Sequence, residues 1–333
     1  MSAPRKPDSD DFKRHLDVLK NSDWLGSARS WWPDYLYHFT DIRNAAKILE
    51  DGCLRSRSFL QSESSEFVDA ASAQVIGKTN TQWLDMIRLY FRPCSPTQFV
   101  VEGIRPTSQL RYAGTHCPVP VVFLFDSHEI LTRHDTLFSD GNLASPYAEV
   151  SDQSDAFGDL PFKRIYHSSP VYGEPDPSKG MFHRNAEVIV PDPLNLTGLQ
   201  RIATRSVAEY ETLRNLLSHS KRRFWASRIE PGVRPGLHAG RWSYIERVDM
   251  SASQITLRFN PVTETPGPFR LICEIVEHNT GKMYSLTKTE FTAKQPLTMN
   301  LLNLSDPREY RLRVRLDENL AYQGEYEESD LPF

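Results

Sequence analysis

The sequence predicts an α+β unit, a mixed β-sheet with flanking helices, followed by an all-β sandwich. Three observations predict it. First, Tyr37-His38-Phe39-Thr40 reads as a strand that ends in a polar turn, and Ile42, Ala45, Ala46, Ile48 and Leu49 then recur at helical spacing. Second, Val188-Ile189-Val190 reads as a short buried strand that opens on the carboxylate of Glu187. Third, the pattern changes after Pro231 to Gly240, a stretch rich in Pro and Gly. Ile255, Leu257 and Phe259 alternate, as do Leu271, Cys273 and Ile275, and later Leu312, Val314 and Leu316. These observations divide the chain into a domain over 1–230, a linker over 231–240 and a β-sandwich over 241–333.

Residues 1 to about 10 read as a polar tail without order of its own. Phe12, Leu16, Val18 and Leu19 predict a short amphipathic helix, and Trp24, Trp31 and Trp32 read as packing. Gly52 stops the helix that follows His38. Arg55 to Thr81, rich in Ser, Gln and Ala, reads as a long loop, either a substrate wall or a plain surface excursion. Strands are predicted over Trp83 to Phe91, Phe99 to Ile104, Val119 to Phe125 and Leu194 to Arg205. A helix is expected to start at a Ser127 cap. Asp135 to Arg184 turns polar with interleaved Phe157, Phe162, Tyr166 and Tyr172, which predicts short helices and a loop just before Glu187.

Val207 to His219 predicts an amphipathic helix with Val207, Tyr210, Leu213, Leu216 and Leu217 on one face. Behind it, Lys221, Arg222 and Arg223 precede Phe224 and Trp225. Such a run offers charge for phosphates and rings for bases, or else a solvated helix end with its rings in the core. The tail from Glu325 to Asp330 is acidic and reads as solvated.

Composition sets outer limits. A chain of 333 residues, 39% hydrophobic and 25% charged, has the length for a large core. Its formal charge of -4 excludes a general basic coat but not a local basic groove. The four cysteines, Cys53, Cys94, Cys117 and Cys273, form no CxxC pair, so zinc and disulfide frameworks are not indicated, and reduced thiols in the cytoplasm fit. The N-terminus lacks the apolar segment of a signal peptide, and no apolar run is long enough for a bilayer.

Neither the His38 stretch nor the Glu187 strand is specific alone, because a lone histidine before a helix is ordinarily structural. Their order along the chain says more. His38-Phe39-Thr40-Asp41-Ile42-Arg43-Asn44 with Gly52-Cys53-Leu54 resembles the opening of the DarT family, toxins that ADP-ribosylate DNA. Tyr90-Phe91-Arg92-Pro93-Cys94-Ser95-Pro96 is similar to the family's Tyr-Phe-x-Pro-x-Ser-Pro segment. Phe138-Ser139-Asp140 resembles its Phe-Thr-Asp stretch, and Arg184-Asn185-Ala186-Glu187-Val188-Ile189-Val190 the block holding its catalytic Glu. The similarity spans residues 30 to 225. In the C-terminal part, Leu304-Ser305-Asp306-Pro307-Arg308-Glu309-Tyr310 is similar to the E–F corner of fibronectin type III domains.

The resemblance implies an ADP-ribosyltransferase fold and NAD as donor substrate, with no metal. His38 would hydrogen-bond the NAD ribose. Thr40, Asn44 and Tyr90 would complete the site, with Lys78 a weak stand-in for an Arg that the family carries upstream of its Tyr-Phe segment. Separately, Arg92 and Cys94 stand where some relatives have these two types in reverse, so Arg92 would supply the guanidinium displaced from that segment and meet the substrate. Glu187 would bind a ribose hydroxyl, favour the cationic transition state and orient the acceptor base. Asn142, where the family has a nearby His, and Arg184, Lys221, Arg222, Arg223 and Trp225 would meet the nucleic acid. The implied acceptor is a base in single-stranded DNA, with RNA as runner-up, since an unpaired base avoids the cost of unstacking. A cognate antitoxin is the implied partner. A protein-directed transferase and an inactive NAD-binding module stand as rivals.

Overall fold

A computed structural model of the chain describes residues 3–63, 67–68, 77, 80–110, 116–169, 177–232 and 235–328. At its centre is an eight-stranded mixed sheet. The strands are β1 (Tyr35–Asp41), β3 (Met86–Tyr90), β4 (Pro120–Asp126), β5 (Leu137–Ser139), β6 (Val150–Ser151), β7 (Glu187–Pro191), β9 (Leu199–Thr204) and β10 (Ile229–Glu230). They lie in the order β10-β9-β4-β1-β3-β7-β5-β6. Within this sheet, as far as the described residues go, only β9 and β10 run parallel. A small ribbon pairs β2 (Cys53–Leu54) with β8 (Leu194–Asn195).

The sheet is two well-paired blocks joined at one point. β1 matches β4 along its whole length, from Tyr35 opposite Asp126 to Asp41 opposite Pro120. β3 matches β7 from Met86 opposite Pro191 to Tyr90 opposite Glu187. Between the blocks, β1 and β3 share a single pair, Tyr37 and Tyr90. β4 is the most apolar strand, and Val121 to Phe125 are all buried, as a central strand requires.

Helix α1 (Ser9–Lys20) buries Phe12, Leu16 and Leu19, while Val18 stays exposed. Phe12 packs against Phe157 at 5.2 Å, Phe157 against Phe162 at 5.2 Å, and Phe162 against Tyr166 at 5.5 Å. These aromatics of the polar stretch are therefore core. Short helices at Ser154–Gly158, Phe162–Ile165 and Pro177–His183 carry that stretch toward Glu187, as expected. Helix α2 (Ile42–Asp51) follows β1 directly. The Asp41 side chain accepts from the Arg43 N–H at 3.1 Å, and Gly52 ends the helix at φ 77°, a conformation natural to glycine. Ile42, Ala45, Ala46 and Leu49 turn into the core.

Several elements differ from expectation. Phe99 to Ile104 is not a strand: a helix spans Pro96–Val101. Ser95 caps it by accepting from the Gln98 N–H at 3.3 Å, and Pro96 sets its first turn, which outweighs the β-preference of Phe99-Val100-Val101. Trp83 belongs to a helical turn, Thr81–Leu84, and the strand starts at Met86. Asp126, not Ser127, caps the helix Ser127–Leu131; the Ser127 hydroxyl donates to the Pro33 carbonyl instead. The N-terminal residues are docked, with Lys6 N–H donating to Thr132 O at 2.7 Å and its ammonium 4.7 Å from the Phe12 ring centre.

The C-terminal region consists of antiparallel sheets. A three-stranded sheet holds β11 (Ile245–Met250), β12 (Gln254–Phe259) and β15 (Leu297–Asn300) in the order β11-β12-β15. A four-stranded sheet holds β13 (Phe269–Glu277), β14 (Met283–Phe291), β16 (Glu309–Leu316) and β17 (Asn319–Glu327) in the order β14-β13-β16-β17. Between the mixed sheet and the C-terminal region lies the helix Val207–Leu216. Its buried residues are Ala208, Glu209, Thr212 and Leu213, whereas Val207 is exposed. The predicted apolar face is thus rotated, because two interfaces share the helix. Tyr322 donates to the Glu211 carboxylate at 2.8 Å, and the Gln323 N–H to the Thr212 hydroxyl at 3.0 Å. The Pro/Gly stretch is fastened as well. Buried Glu102 accepts from the Ala239 N–H at 3.0 Å and the Gly240 N–H at 2.9 Å, and it faces Arg205, which pairs with Glu209. No helix among the described residues is long and apolar enough to cross a membrane.

The basic run falls on the helix His219–Trp225. Trp225 is only 3% exposed, and its indole N–H donates to the Leu49 carbonyl at 3.1 Å. It is a core ring beside α2, so the base-stacking expectation for Trp225 is corrected; Phe224 is 67% exposed. Trp225→Ala is expected to cost about 3–5 kcal/mol in chemical denaturation, and Phe224→Ala less than about 0.5 kcal/mol. Equal, small shifts for both would contradict the packing described.

Candidate active site

A cleft opens where β1 and β3 part beyond the Tyr37–Tyr90 pair. Its volume is about 240 Å³. One wall is His38, Phe39 and Thr40 of β1. Another is Asn44, Lys47, Ile48 and Asp51, the α2 face opposite to the one buried in the core. The third is Arg88 and Tyr90 of β3, with Thr97 beside them. Arg55 and Arg57 also line it, so among the described residues cations outnumber the single lining carboxylate, Asp51. Such a wall suits an anionic ligand such as a dinucleotide.

Four of the five residues predicted to hold NAD therefore meet in one cleft: His38, Thr40, Asn44 and Tyr90. Lys78 lies outside the described residues. Asn44 donates to the Thr40 hydroxyl at 3.0 Å and pairs with the backbone of Val68 in both directions, at 2.9 and 2.8 Å. Its amide thus fixes the wall itself. Tyr90 stacks on Phe39 with ring centres 6.0 Å apart. Burial and then the nearby Glu187 charge push the Tyr90 phenol up to about 12, so it stays protonated.

His38 Nδ1 lies 3.3 Å from the Arg88 carbonyl oxygen. A carbonyl only accepts, so Nδ1 carries the proton and Nε2 is left as an acceptor. Burial lowers the imidazole to about 4, with the Arg88 charge acting the same way against the carbonyl's opposing pull. The ring is neutral at physiological pH.

Glu187 begins β7 behind this wall and is 2% exposed. One carboxylate oxygen accepts from the Leu143 N–H at 3.0 Å; the other stands 3.6 Å from the Arg88 guanidinium. Burial raises the carboxyl above the ordinary glutamate range, and Arg88 and then the Leu143 N–H oppose that rise. The Phe138-Ser139-Asp140 motif gains a physical reason here. The Ser139 hydroxyl accepts from the Glu187 N–H at 3.1 Å and donates to Gly141 O at 2.7 Å, fixing both the strand start and the turn that presents Leu143. A desolvated carboxylate beside a guanidinium can stabilise a developing cation or take a proton.

Arg88 escaped the sequence reading, which gave Lys78 as a weak substitute for the upstream Arg and, separately, Arg92 as a displaced guanidinium. The signal was parity: Arg88 shares the strand face of Tyr90, two residues on. Arg92 instead lies buried over the Trp32 ring and donates to Pro93 O and His167 O, so it does not reach the cleft. Arg184 donates to Ser169 O at 2.6 Å and bonds His167; it braces the loop before Glu187. Asn142 shapes the turn that presents Leu143 to Glu187, its side-chain Oδ1 accepting from the Ala144 N–H at 3.0 Å, and is not a cleft residue. Lys221, Arg222 and Arg223 line no part of the cleft, and Arg222 faces Glu325 at 3.9 Å.

Among solved structures, the chain is similar to Thermus sp. 2.9 DarT in complex with ADP-ribosylated ssDNA, at 18% identity and a TM-score of 0.48, covering 62% of this chain and 96% of that one. The same protein in complex with NAD+ gives 19% identity, a TM-score of 0.45 and coverages of 62% and 98%. Thermosipho africanus DarTG in complex with ADP-ribose gives 15%, 0.45, 66% and 53%. No curated protein matches the chain. The family model described as ssDNA thymidine ADP-ribosyltransferase, DarT, matches residues 37–233, more than half of the sequence, and the chain belongs to the DarT family.

Proposed function

We propose that this protein transfers ADP-ribose from NAD+ to a thymidine base of single-stranded DNA, with Glu187 as the catalytic residue. One observation carries the assignment to this site. The buried carboxylate of Glu187 stands 3.6 Å from the guanidinium of Arg88, which lines a cleft whose wall also presents a neutral, acceptor-bearing His38. Family membership supports DNA over RNA as acceptor.

NAD+ supplies the bond that breaks, between the ribose and the nicotinamide, whose nitrogen leaves with the bonding pair. His38 Nε2 accepts from a ribose hydroxyl, and the Asn44–Thr40 wall with Tyr90 confines the dinucleotide. Glu187 stabilises positive charge developing on the ribose and takes the proton that the acceptor nitrogen loses as it bonds to the sugar carbon. The cations Lys47, Arg55 and Arg57 draw the diphosphate into the cleft.

The C-terminal sheets support a fibronectin type III reading. Their strand order, three and four strands with β12 paired to β15 and β13 to β16, is compatible with such a sandwich. Tyr310 is buried and donates to Ser251 O at 2.9 Å, a bond across to the β11–β12 turn rather than to the corner upstream of it. This supports a sandwich over 241–333 that docks on the helix Val207–Leu216 and carries no chemistry. The family resemblance further implies a toxin acting in the cytoplasm and restrained by a cognate antitoxin.

Glu187→Gln is expected to lower kcat about 10²–10⁴-fold in a labelled-NAD transfer assay on single-stranded DNA, with NAD affinity retained. Unchanged transfer would remove Glu187 from the chemistry. Because burial lifts its carboxyl, Glu187 protonates as pH falls at values above the ordinary glutamate range of about 4.3. The kcat profile should lose activity through that higher window. No limb should appear near 6.5, since His38 is held to about 4.

A further inference from the structure

Arg88 is the cation that the structure sets against the buried Glu187 carboxylate, at 3.6 Å. We propose that Arg88 is a positioning residue of this site: its guanidinium holds and orients the Glu187 carboxylate while its backbone carbonyl fixes the His38 tautomer. This role rests on Glu187 being the catalytic residue.

Strand register brings the groups together. Tyr90 stands opposite Glu187 across β3 and β7, and Arg88 is two residues from Tyr90, so all three side chains emerge on one face of the sheet. Arg88 is the more open member of the pair: its side chain is 23% exposed and that of Glu187 3%. Arg88 lines the cleft beside the more enclosed carboxylate. Among the described residues its guanidinium makes this one ion pair, and the residue lines the cleft. Its main chain is engaged as well, since the His38 Nδ1–H bonds the Arg88 carbonyl. One residue thus sets the proton positions on both sides of the cleft.

Among the described residues, the surroundings leave Arg88 as the cation on Glu187. From β3 come Arg88 and Tyr90, and Tyr90 is a neutral phenol. From the turn after β5 comes the Leu143 N–H, a dipole without net charge. His183, at the end of the helix Pro177–His183, bonds Asp140 O at 2.7 Å and stands 3.9 Å from its carboxylate. Removing Arg88 would leave a desolvated carboxylate with a single N–H, and such a group favours its protonated form. The consequence is a loss of the charge that opposes the developing cation and of the base that accepts the proton.

The test is a carboxyl-carbon NMR titration of Glu187 in protein labelled with ¹³C-glutamate, assigned with Glu187→Gln, beside steady-state kinetics. Arg88→Gln is expected to move the Glu187 midpoint up by about one pH unit or more. The acid limb of kcat should follow by the same amount, with kcat reduced about 10²-fold at neutral pH. Arg88→Lys should return the midpoint most of the way, even if it lowers the rate, and it guards against misfolding of the Gln variant. An unmoved midpoint in Arg88→Gln would overturn the proposal. So would a loss confined to the KM for NAD, which would make Arg88 a substrate contact alone. The midpoint is read without turnover, so this outcome is separate from failure of the assigned reaction, which wild type and Glu187→Gln reveal in the transfer assay.

Discussion

The structure depends on a pairing that stops. β1 and β3 meet at Tyr37 and Tyr90 and then separate, although each is fully paired on its other side. Backbone polar groups along an unpaired strand edge must be satisfied by water, side chains or ligand. The seam is therefore wet and polar by construction, and the residues beside it are those placed to bind. Asn44 closes one flank by bonding the backbone of Val68, and His38 bonds the backbone of β3 across the gap. Phe12, Phe138, Phe157 and Phe162 pack together as a close aromatic core cluster.

Glu187 sits on β7 opposite Tyr90, the residue at which β1 and β3 meet. A carboxylate at 2% exposure needs both a counter-charge and a donor, and it has one of each in Arg88 and Leu143. The donor comes from a turn held by Ser139 and by Asn142, and the counter-charge from the neighbouring strand. The proposed chemistry and the local stability of the sheet thus draw on the same contacts. Burial is also what raises the carboxyl above the ordinary glutamate range.

Much of this was legible in the sequence, for reasons that differ by residue. The strand–cap–helix over Tyr37 to Gly52 could be read because strand residues, the Asp41 cap and the Gly52 stop agree locally. Glu187 and His38 were marked by motif order. The helix at Pro96–Val101 was missed because Ser95 and Pro96 act on one turn, against three β-favouring residues. Arg92, Arg184 and Trp225 look like ligand-binding groups by type, and only tertiary contacts show them spent on carbonyls and core. Arg88 went unmarked because strand alternation puts it on the face of Tyr90 but does not say what that face meets. What it meets is set by β7, which is remote in sequence.

The junction at the helix Val207–Leu216 bears on how such a chain can be recombined. One of its sides carries the contact of Glu209 with Arg205 under the mixed sheet; another receives Tyr322 and Gln323 from the last strand. A single buried apolar cluster runs without interruption from Phe12 to Tyr322. The C-terminal sheets are thus no bead on a string. Grafting them onto another family member would require transplanting Glu211, Thr212 and Asn215 with them, and excising them would leave that helix surface as bare interior. The helix, more than the Pro/Gly stretch that follows it, is therefore the mechanical joint of the two parts.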